Sequence, residues 1–513
     1  MRTELAALID AEDVTELSDR FAGYLRFGTA GLRGPRGAGP NRMNRVVVMR
    51  AAAGVAAWLQ EHHEDPAAVV GFDARHQSAE FAADAAAVLA GAGVRVTLMD
   101  SPRPTPVLAF AVGHLGADAG LMLTASHNRA ADSGLKVYLG DTAQIADPVD
   151  AEIAAGIEML GAVSALPKSE AYERAGDDLL ANYIDAVARP ITGAGQLTVV
   201  YTALHGVGHD AFHRVAERCG FSFEGVPEQC APDPDFPTVA FPNPEEPGAM
   251  DAALDLADRR SADLVLAHDP DADRCALAAR NGKELTVLTG DELGVLLADA
   301  HLRRGVSGCY ASTIVSSELL GKMAAAHGQR WQQTLTGFKW VGRIPDLAFG
   351  YEEALGYCVS PEVSRDKDGI AAAVAAVELV AELRSRGMTV FDRLDEIQRE
   401  HGYHLTGQLA LRFERPAEVV ELMHRLRSAP PGSLGAYPVT SLDDFAEGYR
   451  DLPQTDALRL GLDGGRVIIR PSGTEPKVKC YVEVVADDRT RAQEQLDSVL
   501  DQLTVAMAIG STR

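Results

Sequence analysis

Gly120-Leu-Met-Leu-Thr-Ala-Ser-His-Asn128 opens on an apolar run, Gly120 to Leu123, and ends in a small polar turn. That is the pattern of a buried strand that delivers a hydroxyl at its end. His127 and Asn128 stand beside Ser126. A second run, Leu135-Lys-Val-Tyr138, follows a Ser133-Gly134 turn, so the two runs read as a hairpin in which Lys136 returns toward Ser126. A nucleophilic serine needs a neighbour that accepts its proton, and His127 and Lys136 are the candidates. A Ser-His-Asn turn is also an ordinary loop, so the surrounding chain must decide between the two readings.

Before this stretch, strand patterns at Val69 to Phe72 and Val94 to Met99 alternate with helical patterns at Arg45 to Gln60, Ala79 to Ala92 and Pro106 to Leu115. This β/α alternation predicts a mostly parallel sheet covered by helices. Asp73 and Arg75 follow a strand end, where α/β sites gather, although a pair that merely holds a loop would look the same. The chain begins with a helical pattern running to about Tyr24. Arg26-Phe-Gly-Thr-Ala-Gly-Leu-Arg-Gly34 then places three glycines near Arg26 and Arg33, which reads as a loop facing an anion or as a plain surface loop.

Asp177 to Ala188 is a helical pattern that closes the first domain, and a second alternation begins at Leu197. Within it, Gly206-Val-Gly208-His-Asp-Ala211 mimics a dinucleotide fingerprint, with Glu224 as its acidic partner. The long turn before the first glycine and the alanine at the third position speak against that reading. The strand Ala262 to Ala267 ends in His268-Asp-Pro-Asp-Ala-Asp-Arg274. Three alternating carboxylates repel unless a cation sits among them, and hard oxygen ligands select Mg²⁺ or Ca²⁺. Arg274 and Arg280 occupy the positions where a calcium-binding EF-hand needs Gly and Glu. A solvated acidic turn is the other alternative.

A third alternation starts at Asp291. It carries Thr336-Gly-Phe-Lys-Trp340, then Gly350-Tyr-Glu-Glu-Ala-Leu-Gly356, whose carboxylates could accept sugar hydroxyls, and Arg365-Asp-Lys-Asp-Gly369 at the start of a long helix. At that helix N-terminus, Lys367 and the free N–H groups favour an anion. From about Tyr403 the pattern becomes α+β, with strands at Leu405 to Phe413, Val467 to Ile469 and Val478 to Val485, and helices at Ala417 to Ser428 and Arg489 to Met507. Its centre, Arg470-Pro-Ser-Gly-Thr-Glu-Pro-Lys477, gathers Arg470, Ser472, Gly473, Thr474 and Lys477 into an oxyanion cradle. No nucleotide P-loop pattern occurs.

A chain of 513 residues exceeds what one core supports, so three or four domains are expected. Apolar residues make up 46% and charged residues 24%, the balance of a soluble globular protein. The net charge of -25 argues against nucleic-acid and anionic-membrane partners, while leaving room for a locally basic site. Cys219, Cys230, Cys275, Cys309, Cys358 and Cys480 are scattered without a C-x-x-C pair, as reduced thiols in a cytoplasmic protein would be. The N-terminus resembles neither a signal nor a transit peptide, and no window is apolar for long enough to span a membrane.

The runs FGTAGLRG, TASHN, DPDADR, TGFKW, EEALG, RDKDG and RPSGTEPK, in this order from Phe27 to Lys477, resemble the α-D-phosphohexomutase superfamily of phosphoglucomutases and phosphomannomutases. The GAGPNRMN run and the EEALGY form are most similar to the branch that includes phosphopentomutases. The resemblance implies an α/β protein of four domains around a central cleft, three related α/β domains and a smaller C-terminal α+β domain. With the pattern changes above, the domains are expected at 1–195, 196–288, 289–402 and 403–513.

The resemblance also implies roles. Ser126 would be the phosphoserine, and Asp269, Asp271 and Asp273 would bind Mg²⁺ together with its phosphate. His127, Lys136 and Arg33 would serve proton transfer and charge stabilisation, and Arg274 would steady the phosphoserine. Thr336, Gly337, Phe338 and Glu352 would face the sugar, while Lys367, Arg470, Ser472, Gly473, Thr474 and Lys477 would hold the non-reacting phosphate. The implied activity is interconversion of glucose or mannose 1-phosphate and 6-phosphate through a sugar bisphosphate, by a monomer or dimer. The family's hexose enzymes usually place Ser two residues after the sugar-binding Glu, where this chain has Ala354; a phosphopentomutase is therefore the alternative. Rivals of another class are a metal-dependent phosphatase, an oxidoreductase built on Gly206 to Ala211, and a silent binding protein.

Overall fold

A computed structural model describes residues 1–28, 31–472 and 476–508. The chain divides into two compact units, one made of Met1–Leu297 with Gly337–Thr389, the other of Ala298–Thr336 with Val390–Arg513.

The first sheet has six strands: β1 (Leu32–Pro35), β2 (Ala67–Phe72), β3 (Arg95–Met99), β4 (Ala119–Leu123), β5 (Asp132–Leu139) and β6 (Glu173–Ala175), ordered β1-β5-β4-β2-β3-β6. The neighbours β4, β2, β3 and β6 run parallel, and β5 and β1 are added antiparallel. Every residue of β2 and β4 is buried, as continuous apolar strands covered on both faces must be. The sheet is mostly parallel, as expected, and β5 returns antiparallel to β4 because the connection 124–131 is too short for a crossover helix. Ser133 and Gly134, expected to form the turn, lie inside β5, where they pair with Gly34 and Arg33 of β1. The expected opening helix is two, Arg2–Asp10 and Val14–Arg20, split where Asp13 caps the second by accepting the Glu16 N–H. Such a cap ends one helix and starts the next. Helix Arg45–His62 begins at Asn44, whose side chain accepts from the Val46 and Val47 N–H groups.

The second sheet, ordered β11-β10-β9-β7-β8, is built from β7 (Val199–Thr202), β8 (Phe223–Gly225), β9 (Leu264–Ala267), β10 (Ala276–Asn281) and β11 (Glu284–Val287). Here β9, β7 and β8 are parallel, and β10 and β11 form an antiparallel edge. In the second unit, β12 (Cys309–Thr313) and β13 (Arg330–Thr334) are parallel. In the first, β14 (Leu347–Glu352) and β15 (Gly356–Cys358) form an antiparallel pair ahead of helix Gly369–Ser385.

The C-terminal sheet is fully antiparallel, ordered β16-β21-β20-β19-β18-β17 from β16 (Tyr403–Arg412), β17 (Ser433–Leu434), β18 (Tyr437–Asp444), β19 (Leu458–Leu462), β20 (Gly465–Pro471) and β21 (Lys477–Ala486). Helices Pro416–Ser428 and Arg489–Ala508 supply apolar side chains to its core. The sequence pattern anticipates β16, β20 and β21 but not β18, whose inward positions are too few to alternate clearly. The fold is three α/β domains followed by an α+β domain. Among the described residues no helix is long and apolar enough to cross a membrane.

Candidate active site

Ser126 sits where β4 stops, buried and with φ at +52°, a left-handed conformation that a non-glycine residue adopts only when its surroundings hold it there. Its Oγ donates to Asp269 Oδ2 at 2.9 Å and lies 3.1 Å from His127 Nδ1. Burial, with Arg274 and Arg33 close by, holds the His127 imidazole well below its usual value. Lys136 lies opposite Met122 in the β4–β5 register. Its ammonium donates to Asp271 Oδ2 at 2.7 Å and Asp273 Oδ2 at 2.6 Å. Arg33, on β1, is part-buried and reaches Asn128 Oδ1 at 3.5 Å.

The loop 268–274 follows β9. Its three carboxylates offer oxygens that all lie within 4.8 Å of one another. Thr105 Oγ1 donates to Asp271 Oδ2 at 2.6 Å, and the Arg274 N–H to Asp269 Oδ1 at 3.0 Å. Asp271 Oδ1 and Asp273 Oδ1 are buried without a hydrogen-bond partner among the described residues, a costly state for a carboxylate unless a cation pairs with it. An all-oxygen donor set with unused lone pairs fits a hard divalent ion. Asp269 is pushed well above the usual carboxylate range by burial and by its two acidic neighbours.

The loop is braced from behind. A Cβ on Gly206 would lie 2.2 Å from Pro270 Cα, and the Val207 N–H donates to Pro270 O at 2.8 Å. The glycine pattern that mimics a dinucleotide fingerprint is thus used for close approach to the carboxylate loop. His268 Nε2 lies 3.0 Å from Gly369 O, and Nδ1 lies 3.0 Å from the Tyr201 hydroxyl. Burial holds this imidazole at about 4, so Nε2 donates to the carbonyl and Nδ1 accepts from the tyrosine.

Arg274 spans the site, donating to Glu245 Oε2 at 2.8 Å and Asn243 Oδ1 at 3.3 Å, with His127 Nε2 at 3.5 Å. Glu352 ends β14, and burial raises its carboxyl. Lys367, expected to serve an anion, stands just before the N-terminus of helix Gly369–Ser385. Asp368 caps that helix by accepting the Ala371 N–H, and the Lys367 ammonium lies 3.5 Å from both Asp273 Oδ2 and Asp366 Oδ1, over the Phe338 ring. An ammonium only donates, so it turns to carboxylate oxygens and not to the first-turn N–H groups. Gly356 makes room, since a Cβ there would meet the Lys367 Cδ at 2.2 Å. Gly337, with φ at +105°, precedes the short helix Phe338–Val341, whereas Thr336 belongs to the second unit.

In that second unit, Arg470 pairs with Lys479 in the β20–β21 register, and the Ser472 N–H donates to Lys477 O at 2.8 Å. The expected cradle residues Arg470, Ser472 and Lys477 therefore stand at one hairpin end. Gly473 and Thr474 lie outside the described residues.

Four domain descriptions match in order: phosphoglucomutase/phosphomannomutase alpha/beta/alpha domains I, II and III at residues 25–162, 181–282 and 289–400, and the C-terminal domain at 411–502. The chain belongs to the phosphoglucomutase/phosphomannomutase family. It is 40% identical to a Haemophilus influenzae protein named "Probable phosphomannomutase", over 88% of this chain and 95% of that one. It is 34% identical to the phosphopentomutase of Mus musculus, over 98% and 90%. A solved family protein from Burkholderia thailandensis shares the fold with a TM-score of 0.71 at 20% identity, covering 94% of this chain and 97% of that one. As a member of this family the chain is an isomerase of the phosphotransferase kind, a phosphosugar mutase acting on a small sugar phosphate. The cluster of Asp269, Asp271 and Asp273, together with this membership, points to metal binding.

Side chains that sequence reading missed complete the site. Thr105, Glu245 and Asn243 touch the carboxylates or Arg274. Tyr138 and Gln144 donate to Asp366 at 2.7 and 2.8 Å. The Asn243-Pro-Glu245 run between prolines is the one local signal that marked any of them.

Proposed function

We propose that the protein interconverts a sugar 1-phosphate with the phosphate ester of its terminal hydroxyl, with Ser126 carrying the phosphoryl group. The observation that supports this is the Ser126 Oγ at 2.9 Å from Asp269, at the edge of a carboxylate cluster with orphaned oxygens. Asp269, Asp271, Asp273 and the Ser126 phosphate would hold Mg²⁺, which when bound supplies charge neutralisation at the moving phosphoryl group. A phosphoserine carries about -1.5 to -2 charge, and Arg33, Arg274, Lys136 and Lys367 add positive charge around it.

In the first transfer the bond from Ser126 Oγ to phosphorus breaks as the free sugar hydroxyl forms its own. The proton of that hydroxyl ends on Ser126 Oγ, and the neutral His127 at 3.1 Å is placed to relay it. The resulting bisphosphate returns its other phosphoryl group to Ser126 after reorienting. Arg470, Ser472, Gly473, Thr474 and Lys477 are assigned to the phosphate that is not reacting, and Thr336, Gly337, Phe338 and Glu352 to the sugar. The domain boundaries at 1–195, 196–288, 289–402 and 403–513 belong to the same reading.

For the sugar, we infer that ribose or deoxyribose 1-phosphate ranks above glucose and mannose 1-phosphate. Ala354 removes the hydroxyl that would follow Glu352 in a hexose pocket. Relatives named phosphopentomutase or phosphoribomutase span 98–99% of the chain. A turnover panel with Mg²⁺ and the matching bisphosphate tests both parts. The highest kcat/KM is expected with ribose 1-phosphate. A hexose winning would transfer the reading to hexose mutation, and release of free phosphate without isomerisation would overturn the mutase mechanism in favour of a phosphatase.

A further inference from the structure

The connection 124–131 holds Ser126 in a left-handed conformation, a strained state that persists only when neighbouring groups over-determine it. Around the loop, Asn128 Nδ2 donates to Asp132 Oδ2 at 3.0 Å, the Thr124 N–H to Gly134 O at 3.1 Å, and the Arg36 N–H to Ala131 O at 2.9 Å. The Ser126 N–H donates to Thr124 Oγ1, the Asn128 N–H to Ala125 O and the Asp132 N–H to Arg129 O. The Ser126 carbonyl itself is engaged by Arg75, 51 residues earlier in the chain. Its Nη2 donates to Ser126 O and Asn128 O, each at 2.6 Å, and its Nη1 to Arg129 O at 2.8 Å and Asp132 O at 3.4 Å. One planar fork gathers three carbonyl oxygens of the loop and that of Asp132, the first residue of β5.

The fork is held by an ion pair at its Nε, which makes no hydrogen bond among the described residues, and by a ring over its face. Arg75 is 4% exposed. Asp73 Oδ2 lies 3.3 Å from its Nε, and Asp73 Oδ1 accepts the Arg75 N–H at 3.0 Å and the Ser78 hydroxyl at 2.6 Å. The Asp73 N–H in turn donates to Leu123 O, the last residue of β4, at 3.1 Å. The Phe236 ring, from the second α/β domain, covers the guanidinium at 4.8 Å.

We propose that Arg75 is the positioning residue of the phosphoryl-carrying serine, a role that rests on the reading of Ser126 given above. The fork sets the left-handed backbone of Ser126 and hence the direction of Oγ. It also engages four carbonyl oxygens whose negative ends would otherwise be free to repel a phosphoryl group. A lysine does not replace it, because a single ammonium is a point charge that cannot span two pairs of carbonyls as a planar fork does.

The test uses the full-length enzyme with Arg75→Lys, Arg75→Ala and Phe236→Leu. Three quantities are read: the mass increment at Ser126 after incubation with sugar bisphosphate, the single-turnover transfer rate, and kcat and KM separately. Arg75→Lys is expected to slow transfer by roughly 100-fold, the scale of a 1 Å misplacement, with KM within about two-fold of wild type. Added guanidinium ion should restore part of the Arg75→Ala activity, and methylammonium should not. Phe236→Leu, which keeps the fork but frees one face, should give an intermediate loss and keeps the question open to decision if the Arg75 variants do not fold. Wild-type transfer in Arg75→Lys, or equal loss in kcat and stability with no guanidinium rescue, overturns the role of Arg75 alone. A wild-type enzyme that gains no mass at Ser126 overturns the reading of Ser126 and this role with it.

Discussion

Gly206→Ala tests whether the carboxylate loop depends on the backbone behind it. The added Cβ would lie 2.2 Å from Pro270 Cα, 2.4 Å from its carbonyl oxygen and 2.6 Å from its carbonyl carbon. All three atoms are backbone, so no side chain can swing aside. Ordinary contact begins near 3.4 Å, and relief therefore needs a displacement of about 1 Å, the kind of overpacking that costs ~1–3 kcal/mol. Pro270 stands between Asp269 and Asp271, and metal ligands must be placed within about 0.2 Å. The shift should lower Mg²⁺ affinity roughly 10–100-fold and turnover about 100-fold, while the protein stays folded. Calorimetric titration with Mg²⁺, thermal unfolding and kcat on one preparation separate these effects. A variant that binds Mg²⁺ and turns over as wild type would refute the claim that Gly206 sets the position of the carboxylates.

Ser126→Ala should lose mutase turnover and the bisphosphate-dependent mass increment while retaining its melting temperature within a few degrees; turnover near the wild-type rate sinks the phosphoserine mechanism. Treatment with EDTA should silence the enzyme and Mg²⁺ should restore it, because the donor set of Asp269, Asp271 and Asp273 is all oxygen; activity that persists through chelation removes the metal from the mechanism. In the second unit, burial would raise the Glu483 carboxyl, but Arg466 and His404 hold it at about 2 against an ordinary 4.5. A depressed carboxylate stabilises above its unfolded value, so on the order of 3 kcal/mol should be lost as pH falls from about 4.5 to 2. Glu483→Gln should cost roughly 3–5 kcal/mol at neutral pH and flatten this acid limb. Urea unfolding at several pH values reads both, and a variant with wild-type stability at pH 7 rules the network out as a source of stability.

The sequence made visible what is local. Ser126, the three aspartates and Arg274 each lie within a few residues of a strand end, where an apolar run meets a polar turn, and the structure brings Ser126 and the aspartates into contact. The partners that set their geometry are distant. Arg75 reaches the serine loop across 51 residues, Thr105 reaches Asp271 across 166, and Tyr138 reaches Asp366 across 228. Asp73 and Arg75 could be placed at a strand end, but whether they faced a ligand or held a loop depended on where the next strand's connection passes. Lys367 shows the same division between local and long-range features. Its helix N-terminus is a local feature, while the carboxylate of Asp273 that draws it in is brought there by the fold.

A single motif can also be divided by these long-range contacts. Thr336-Gly-Phe-Lys-Trp340 reads as one turn, yet Thr336 falls in the unit that contains the C-terminal sheet, and Gly337 in the unit that contains Ser126 and the aspartates. The positive φ of Gly337 lies at that junction, and it is the conformation that a side chain there would resist. Phe338, one residue on, packs beneath the Lys367 ammonium at 5.3 Å. Contact between residues far apart in the chain, not proximity in the chain, determines which unit a residue joins. A five-residue pattern can therefore mark a turn without revealing that its first residue falls in a different compact unit from the rest.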